Sequence, residues 1–542
     1  MELLTNKTLW EGFDATAEQL DVTVAKTVVQ DKFTFTKIYF TGRTFESGRK
    51  TRICANICQP NKKSTKAVLL IADSNRPFDN QELYDFAQNG LIAMSIDVDG
   101  RTESGCGTMY PEEVSYCNAI ENKDIYFFDG TVRNSKLYEQ SLCAMRAITY
   151  LVELEGSRSV SVVTLGECSS IGAIVGAQDK RVTNGMFLFG NLNIDYPEAD
   201  FVVDGKASLQ DQFAHDDKSQ AWTMGLAPQS YLMNITVPVY VINSANSPKV
   251  DVEEVSKAFN RLNDQSKLLI VPDAFDWLDA RHTKSVMAWC KGTTTAENVD
   301  LGYFEENGNY FVKLTTSAKM QDSFVWYCTN ANSRAKHWVK AHLVQSDDGY
   351  IAKLDLYQEN CNVVAFAQIA GKLITSSTLL EISVKNAQNV NIPNSILFTG
   401  ESNQQLIAVG KSKSNVFITS EFKRKKGYLG IVGAQGNSLA TFALTDTSVK
   451  TRSHFAVTFD ICATEQTTLT IAVVCNYGET NDIYLATKAL VGDGKWQRVT
   501  VEAEDFYSNN TERSKQMPAD KIPQLLVLKS QQTFLVNNII LV

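Results

Sequence analysis

The stretch VVTLGECSSIGA (Val162–Ala173) opens as a β-branched apolar run and closes as a run of small residues suited to a helix. Between them stand Gly166, Glu167 and Cys168. A strand that turns sharply into a helix exposes the turn residue at the carboxyl end of a sheet, and it aims the helix N-terminus at the same point. Such a turn needs small neighbours. Gly166 and Ser170 meet that need on either side of Cys168, which places Cys168 on the pivot, at the position of a nucleophile. Oxyanion donors are then expected at Ser169, just past the pivot, and at Ser74, after the strand KAVLLIAD (Lys66–Asp73). Cys168 has two readings: a thiol nucleophile, or a small buried filler, since free cysteine is among the most buried residue types.

Outward from this turn, strand and helix alternate. KAVLLIAD is followed by the helical DNQELYDFAQNG, closed by Gly90, and then by the strand LIAMSIDVDG (Leu91–Gly100). The segment SKLYEQSLCAMRAITYLVEL (Ser135–Leu154) sets Leu137, Leu142, Met145, Ile148 and Leu151 at helical spacing. GMFLFGN, VPVYVINS and KLLIVPD supply further strands, and DKFTFTKIYFTG with KTRICANICQP reads as an antiparallel lead-in pair. The pattern predicts an α/β class: a mostly parallel sheet with helices on both faces, over residues 1–292. After WCKGTTTAENVD the texture changes to short strands with turn signals and little helical pattern. This predicts a small β-sandwich over 293–385 and a β jelly roll over 386–542. A chain of 542 residues exceeds what one hydrophobic core organises, in keeping with several domains.

A nucleophile on such a turn needs a base and an acid to orient it, in the chain order nucleophile, acid, base. The acid loop follows VPVYVINS, where Asn246 and Ser247 stand and the first carboxylate is Asp251. The base loop follows KLLIVPD, where Asp276 stands and the first histidine is His282. Only His215 and His282 fall in this part of the chain. His282 is either a displaced base or a residue at the start of the last helix. Without a histidine in reach, a cysteine keeps a pKa near about 8.5 apart from help by a helix N-terminus, so weak activation is expected.

Net charge is −9, which argues against a nucleic-acid or anionic-membrane partner. KRKK (Lys423–Lys426) reads as a solvated turn. The beginning MELLTNKTLW shows no basic and apolar leader, and no apolar run approaches the ~20 residues of a spanning helix, so a cytoplasmic protein without membrane contact is expected, with a mature secreted fragment as the alternative. Eleven scattered cysteines without a C-x-x-C pair predict reduced thiols rather than a disulfide framework or zinc knot. No metal-ligand cluster and no phosphate cradle stands out, so no cofactor is expected. Trp326, Trp338 and Trp496 are either sugar-stacking or core residues.

Several stretches resemble the acetyl xylan esterase-like branch of the α/β-hydrolases. YFTGRTFESGRKTRICANICQP is similar to its first hairpin, and DVDGR with TMYPEEVSYCNA to the loop after its fourth strand. YEQSLCAMRAITYL, QDKRVTNGMFLFGN and GLAPQSYLMNITVPVYVINSAN are similar to the stretches around its nucleophile strand and acid loop, and VVAFAQIAGKLITSSTLLEI to its small β-domain. The C-terminal GKWQRVTVEAEDF and FLVNNIILV resemble a carbohydrate-binding jelly roll. The resemblance implies an esterase pattern G-x-S-x-G-G, with Cys168 at the serine, Ser247 at the acid and Asp276 at the base. None of the three is the residue the pattern asks for. It therefore implies a catalytically degenerate esterase-like protein with a binding or scaffolding role toward a carbohydrate, an acylated small molecule or a protein partner. The alternative is a weak cysteine-dependent ester hydrolase, dienelactone-hydrolase-like, using Cys168.

Overall fold

The computed structural model describes residues 3–72, 78–100, 107–121, 123–194, 217–272, 274–276, 278–331, 334–402, 405–409, 423–450, 454–509 and 515–542. Chain order in the first half gives β1 (Thr23–Val29), β2 (Phe33–Thr44), β3 (Lys50–Pro60), β4 (Lys66–Ala72), α1 (Asn80–Gln88) and β5 (Ile92–Ile96). Then come α2 (Lys136–Glu153), β6 (Ser159–Leu165), α3 (Ser169–Gln178), β7 (Val182–Leu188), β8 (Val239–Ser244), α4 (Val252–Phe259), β9 (Lys267–Val271) and α5 (Ala280–Cys290). In space the strands run β1-β2-β3-β5-β4-β6-β7-β8-β9. From β5 to β9 every pairing is parallel, while β1, β2 and β3 pair antiparallel. The α/β expectation and the antiparallel lead-in hold, and the order is that of an α/β-hydrolase-like sheet.

Period-two alternation sorts the strand side chains onto two faces. In β4, Ala67, Leu69 and Ile71 point into the core beneath α2, α3 and α4, while Val68 and Leu70 point into the core beneath α1 and α5. Both faces are covered, which is why β4 is a continuous apolar run from Ala67 to Ala72. Ser135 caps α2 by accepting the Tyr138 N–H at 3.0 Å, and Asp79 with Glu82 forms a capping box on α1. The spacing in α2 predicts one apolar stripe. The helix is instead buried on every side from Lys136 to Leu151, because the N-terminal segment crosses its outer face.

The sheet continues past residue 292. Leu268 of β9 pairs antiparallel with Ser376, and the order runs on through Ile374–Ser376, Cys361–Ala370, Ser323–Cys328 and Val339–Lys340. Among the described residues this sheet has fourteen strands. A bare β9 would present an unpaired edge, and the added strands cover it. A separate four-stranded sheet (Val299–Glu306, Asn309–Thr316, Gly349–Lys353, Val344–Ser346) packs on this extension, with Tyr310, Val312 and Leu314 facing Val325, Val363 and Ala365. The sandwich thus borrows one of its layers from the central sheet.

Residues from Ile396 onward form an antiparallel sheet of ten strands among the described residues, built on the long strand Leu525–Leu541 and wrapped around its own core. No disulfide forms among the described cysteines. No helix among the described residues is long and apolar enough to cross a membrane.

Candidate functional site

The turn after β6 has one residue in left-handed backbone. Leu165 ends the strand at φ −124° and ψ 134°, Gly166 has φ +62°, and Cys168 is already right-handed helical at φ −65° and ψ −6°. The left-handed residue of the turn is Gly166, two residues before Cys168. Glycine takes this conformation without a Cβ penalty, which is the signal the stretch carries.

Cys168 is 1% exposed and packs in the core under α2 and α3. Ser169 is equally buried, and its backbone N–H is directed back at the carbonyls of Gly166 and Glu167. Gly190, just after β7, makes room for it: a Cβ there would lie 2.1 Å from Ser169 Oγ and 2.6 Å from the Gly166 carbonyl oxygen. Tyr126 covers the turn. Burial pushes its phenol up, with the nearby Glu167 carboxylate acting the same way, and its ring meets Trp222 edge-on at 5.3 Å. Ser74 lies outside the described residues.

The acid and base loops are taken up by the C-terminal half of the chain. Ser247 Oγ accepts the N–H groups of Lys249 and Val250, both at 3.3 Å, so its hydroxyl shapes its own turn. On either side of it the loop is clamped. Trp338 Nε1 donates to the Ala245 carbonyl at 3.2 Å, Asn246 Nδ2 donates to the Lys336 carbonyl at 2.7 Å, and Tyr477 O–H donates to the Asn246 carbonyl at 2.5 Å. Asp251 pairs with Arg334 at 3.2 Å. In the base loop, Phe275 packs against Phe442 and Tyr477, with ring centroids 5.7 and 6.4 Å away. Asp276, at φ +23°, lies close enough to Tyr477 that its charge adds to burial in pushing that phenol up. One tyrosine from the last sheet thus sits between the acid loop and the base loop. Tyr477, Phe442 and Phe275 read in sequence as ordinary strand and loop aromatics, and nothing local marks their meeting.

His282 stands in the first turn of α5, whose apolar side packs on the sheet face opposite α3. Its Nδ1 lies 3.0 Å from Asp279 Oδ1, and it is buried. Asp279 caps the helix by accepting the N–H groups of Arg281 at 2.8 Å and His282 at 3.0 Å. Burial alone would raise the Asp279 carboxyl, but the His282 ring and backbone N–H and the Arg281 guanidinium hold it well below the usual carboxylate range. A carboxyl lowered on folding stabilises the fold above its unfolded value of about 3.9, and that contribution is lost as pH falls toward the folded value. Asp279→Ala is therefore expected to cost about 1–2 kcal/mol at pH 7. The gap to the unmodified chain should narrow in urea titrations stepped from pH 5 to pH 3. A gap that is constant with pH would show that the cap acts without its charge.

Among the described residues, one group of three potential metal ligands gathers, His454, Glu502 and Glu504. All three are exposed on the last sheet and have no part in the turn.

No family model and no curated protein matches this chain. Solved structures do. An acetyl xylan esterase from Paenibacillus sp. R4 is 15% identical over 53% of this chain and 91% of its own, with a TM-score of 0.39. Acetyl xylan esterase 1 from Thermoanaerobacterium sp. JW/SL YS485 is 13% identical over 54% and 94%, at 0.40. A glucuronoyl esterase from Solibacter usitatus is 13% identical over 53% and 90%, at 0.35.

Proposed function

We propose that this chain is a non-hydrolysing, esterase-like protein whose role is binding, with its C-terminal jelly roll fixed onto the loops that would carry catalysis. The observation that carries this is the pivot. Its left-handed residue is Gly166, which has no side chain to attack a carbonyl. The supporting residues agree. Ser247 is engaged in its own turn and has no charge to orient an imidazole. Asp276 carries no imidazole that could take a proton from a nucleophile. The contacts of Trp338, Lys336 and Tyr477 hold the acid loop, and those of Phe442 and Tyr477 the base loop, as a docking platform. Cys168 is buried in helical backbone beneath α2 and offers no exposed thiol.

A complete nucleophile, base and acid together supply on the order of 10⁶ in rate, so their loss is plain to measure. With p-nitrophenyl acetate and a small panel of acetylated sugars, the purified chain is expected to turn over no faster than its Cys168→Ala variant. Hydrolysis by the unmodified chain that Cys168→Ala abolishes would overturn this reading in favour of a cysteine-dependent ester hydrolase.

A further inference from the structure

KRKK (Lys423–Lys426), which reads in sequence as a solvated turn, is a strand. It pairs antiparallel with the start of the strand Val432–Thr441, and the two form a hairpin on the C-terminal sheet. At the tip of the hairpin stand Tyr428, Leu429 and Ile431, all exposed, with Leu429 at 79%. Such neighbouring apolar side chains in water make a patch, unlike singly scattered ones. The tip is well anchored. The Gly427 N–H donates to the Ile431 carbonyl at 2.8 Å and closes it. Trp496, either a sugar-stacking or a core residue by sequence, lies over its base: a Cβ on Gly427 would sit 3.0 Å from the indole, and one on Gly433 2.8 Å from it. Trp496 Nε1 donates to the Tyr428 carbonyl at 3.0 Å. Leu429 is held in left-handed backbone at φ +58°, where a leucine is an outlier and an asparagine fits readily. An apolar side chain thus stands at the tip against both its solvent and its backbone.

We propose that this hairpin docks the protein on an anionic phospholipid surface, with Leu429 at the boundary between headgroups and acyl chains and the lysines behind it on the headgroups. The order of groups along the hairpin matches the layers of a leaflet. The apolar tip leads, and needs to enter only about 5–10 Å to reach that boundary. Tyr428, with an apolar ring and a polar hydroxyl, suits the interface. The cations follow. Lys423, Lys425 and Lys426 are exposed. Alternation sets Lys423 and Lys425 on one face of the strand and Arg424 and Lys426 on the other, so both sides of the hairpin carry charge. Arg424 is partly engaged, its guanidinium donating to the Ser402 carbonyl at 2.6 Å. Glu401, next to Ser402, is exposed and offsets one of these cations, which leaves the strand cationic. A nucleic acid or an acidic protein would meet the lysines but leave Leu429 in water, whereas a leaflet takes up both. The net charge of −9 weakens attraction at long range, but at physiological salt fields are screened within about 8 Å, so contact is decided by the local patch. The surface uses no residue of the turn at Gly166, so it stands or falls separately from the absence of ester hydrolysis.

The test is co-sedimentation of the full chain with vesicles of phosphatidylcholine alone and of phosphatidylcholine with about 30% phosphatidylserine. Binding to the anionic vesicles is expected to be at least about tenfold stronger, and to weaken as salt rises from about 0.1 M to about 0.5 M. Leu429→Asn keeps the cations and suits the left-handed backbone, so it should weaken vesicle binding about tenfold with no loss in urea midpoint. Lys425→Gln removes one exposed charge and should weaken it about fivefold, again with an unchanged midpoint. Polyglutamate and a short DNA duplex serve as competitors, and neither is expected to release the chain from the anionic vesicles at equal charge concentration. No preference for the anionic vesicles, affinity unchanged in either variant, or release by polyglutamate or by the duplex would overturn the proposal.

Discussion

Gly190→Ala is expected to destabilise the central sheet by about 3 kcal/mol, although it adds a single methyl group. The reason lies in how the turn at Gly166 is packed. A Cβ on residue 190 would sit 2.1 Å from Ser169 Oγ, 2.3 Å from Ser169 Cβ and 2.6 Å from the Gly166 carbonyl oxygen. Ser169 is fully buried, and it belongs to the turn backbone at its first helical residue, so it has little freedom to retreat. Relief would require the β6–α3 turn to move away from the end of β7, and close-packed interiors resist such shifts. Urea titration should show a lower midpoint for Gly190→Ala, while Gly302→Ala, where an added Cβ meets nothing within 4 Å, serves as the control. Adding Ser169→Gly to Gly190→Ala should restore part of the loss, since it removes the side-chain clash but leaves the carbonyl contact. Equal midpoints for Gly190→Ala and Gly302→Ala would show that the turn is loose. The tight fit makes the turn a rigid joint between β6, α3 and the end of β7.

The parallel strands were legible because each is buried on both faces and so reads as a mostly apolar run, unbroken after Lys66 in KAVLLIA and interrupted in SVSVVTL by the buried Ser161 and Thr164. The site was legible only in place. Residues 162–173 do form the strand, turn and helix, and the left-handed residue in them is Gly166, where glycine pays no Cβ penalty. Two features had no local signal. The pairing of Leu268 with Ser376 is a backbone contact across more than a hundred residues, and it makes the expected sandwich an extension of the central sheet. The seat of Tyr477 on the Asn246 carbonyl joins loops 231 residues apart, and no spacing rule reaches that far. The apolar spacing of α2 was right in kind, yet it hid the role of the one arginine among those residues.

Arg146→Leu is expected to cost about 3–5 kcal/mol, as large a loss as any buried charged side chain is known to cause when its contacts are cut. Arg146 is 2% exposed on the outer side of α2. Its guanidinium donates to the carbonyls of Thr41 at 3.2 Å, Glu18 at 2.9 Å and Gln19 at 3.4 Å, and also to that of Ala15. Every acceptor is a neutral main-chain oxygen, so burial holds the group below its ordinary pKa, though an arginine stays charged at any working pH. The fork ties residues 15–19 to both β2 and α2. Leucine would fill most of the volume but leave these carbonyls without their donor, the costly half of a broken buried hydrogen bond. Lysine keeps the charge but not the planar spread of donors, so Arg146→Lys should recover only part of the loss. Hydrogen exchange localises the effect: amides near Leu9, Trp10 and Leu20 should exchange faster in Arg146→Leu by a larger factor than those of β6 or β7. If Arg146→Leu matches the unmodified chain in both urea midpoint and exchange, the apolar contacts of Leu9, Trp10 and Leu20 with the core hold the N-terminal segment unaided, and the carbonyls find water in place of the guanidinium.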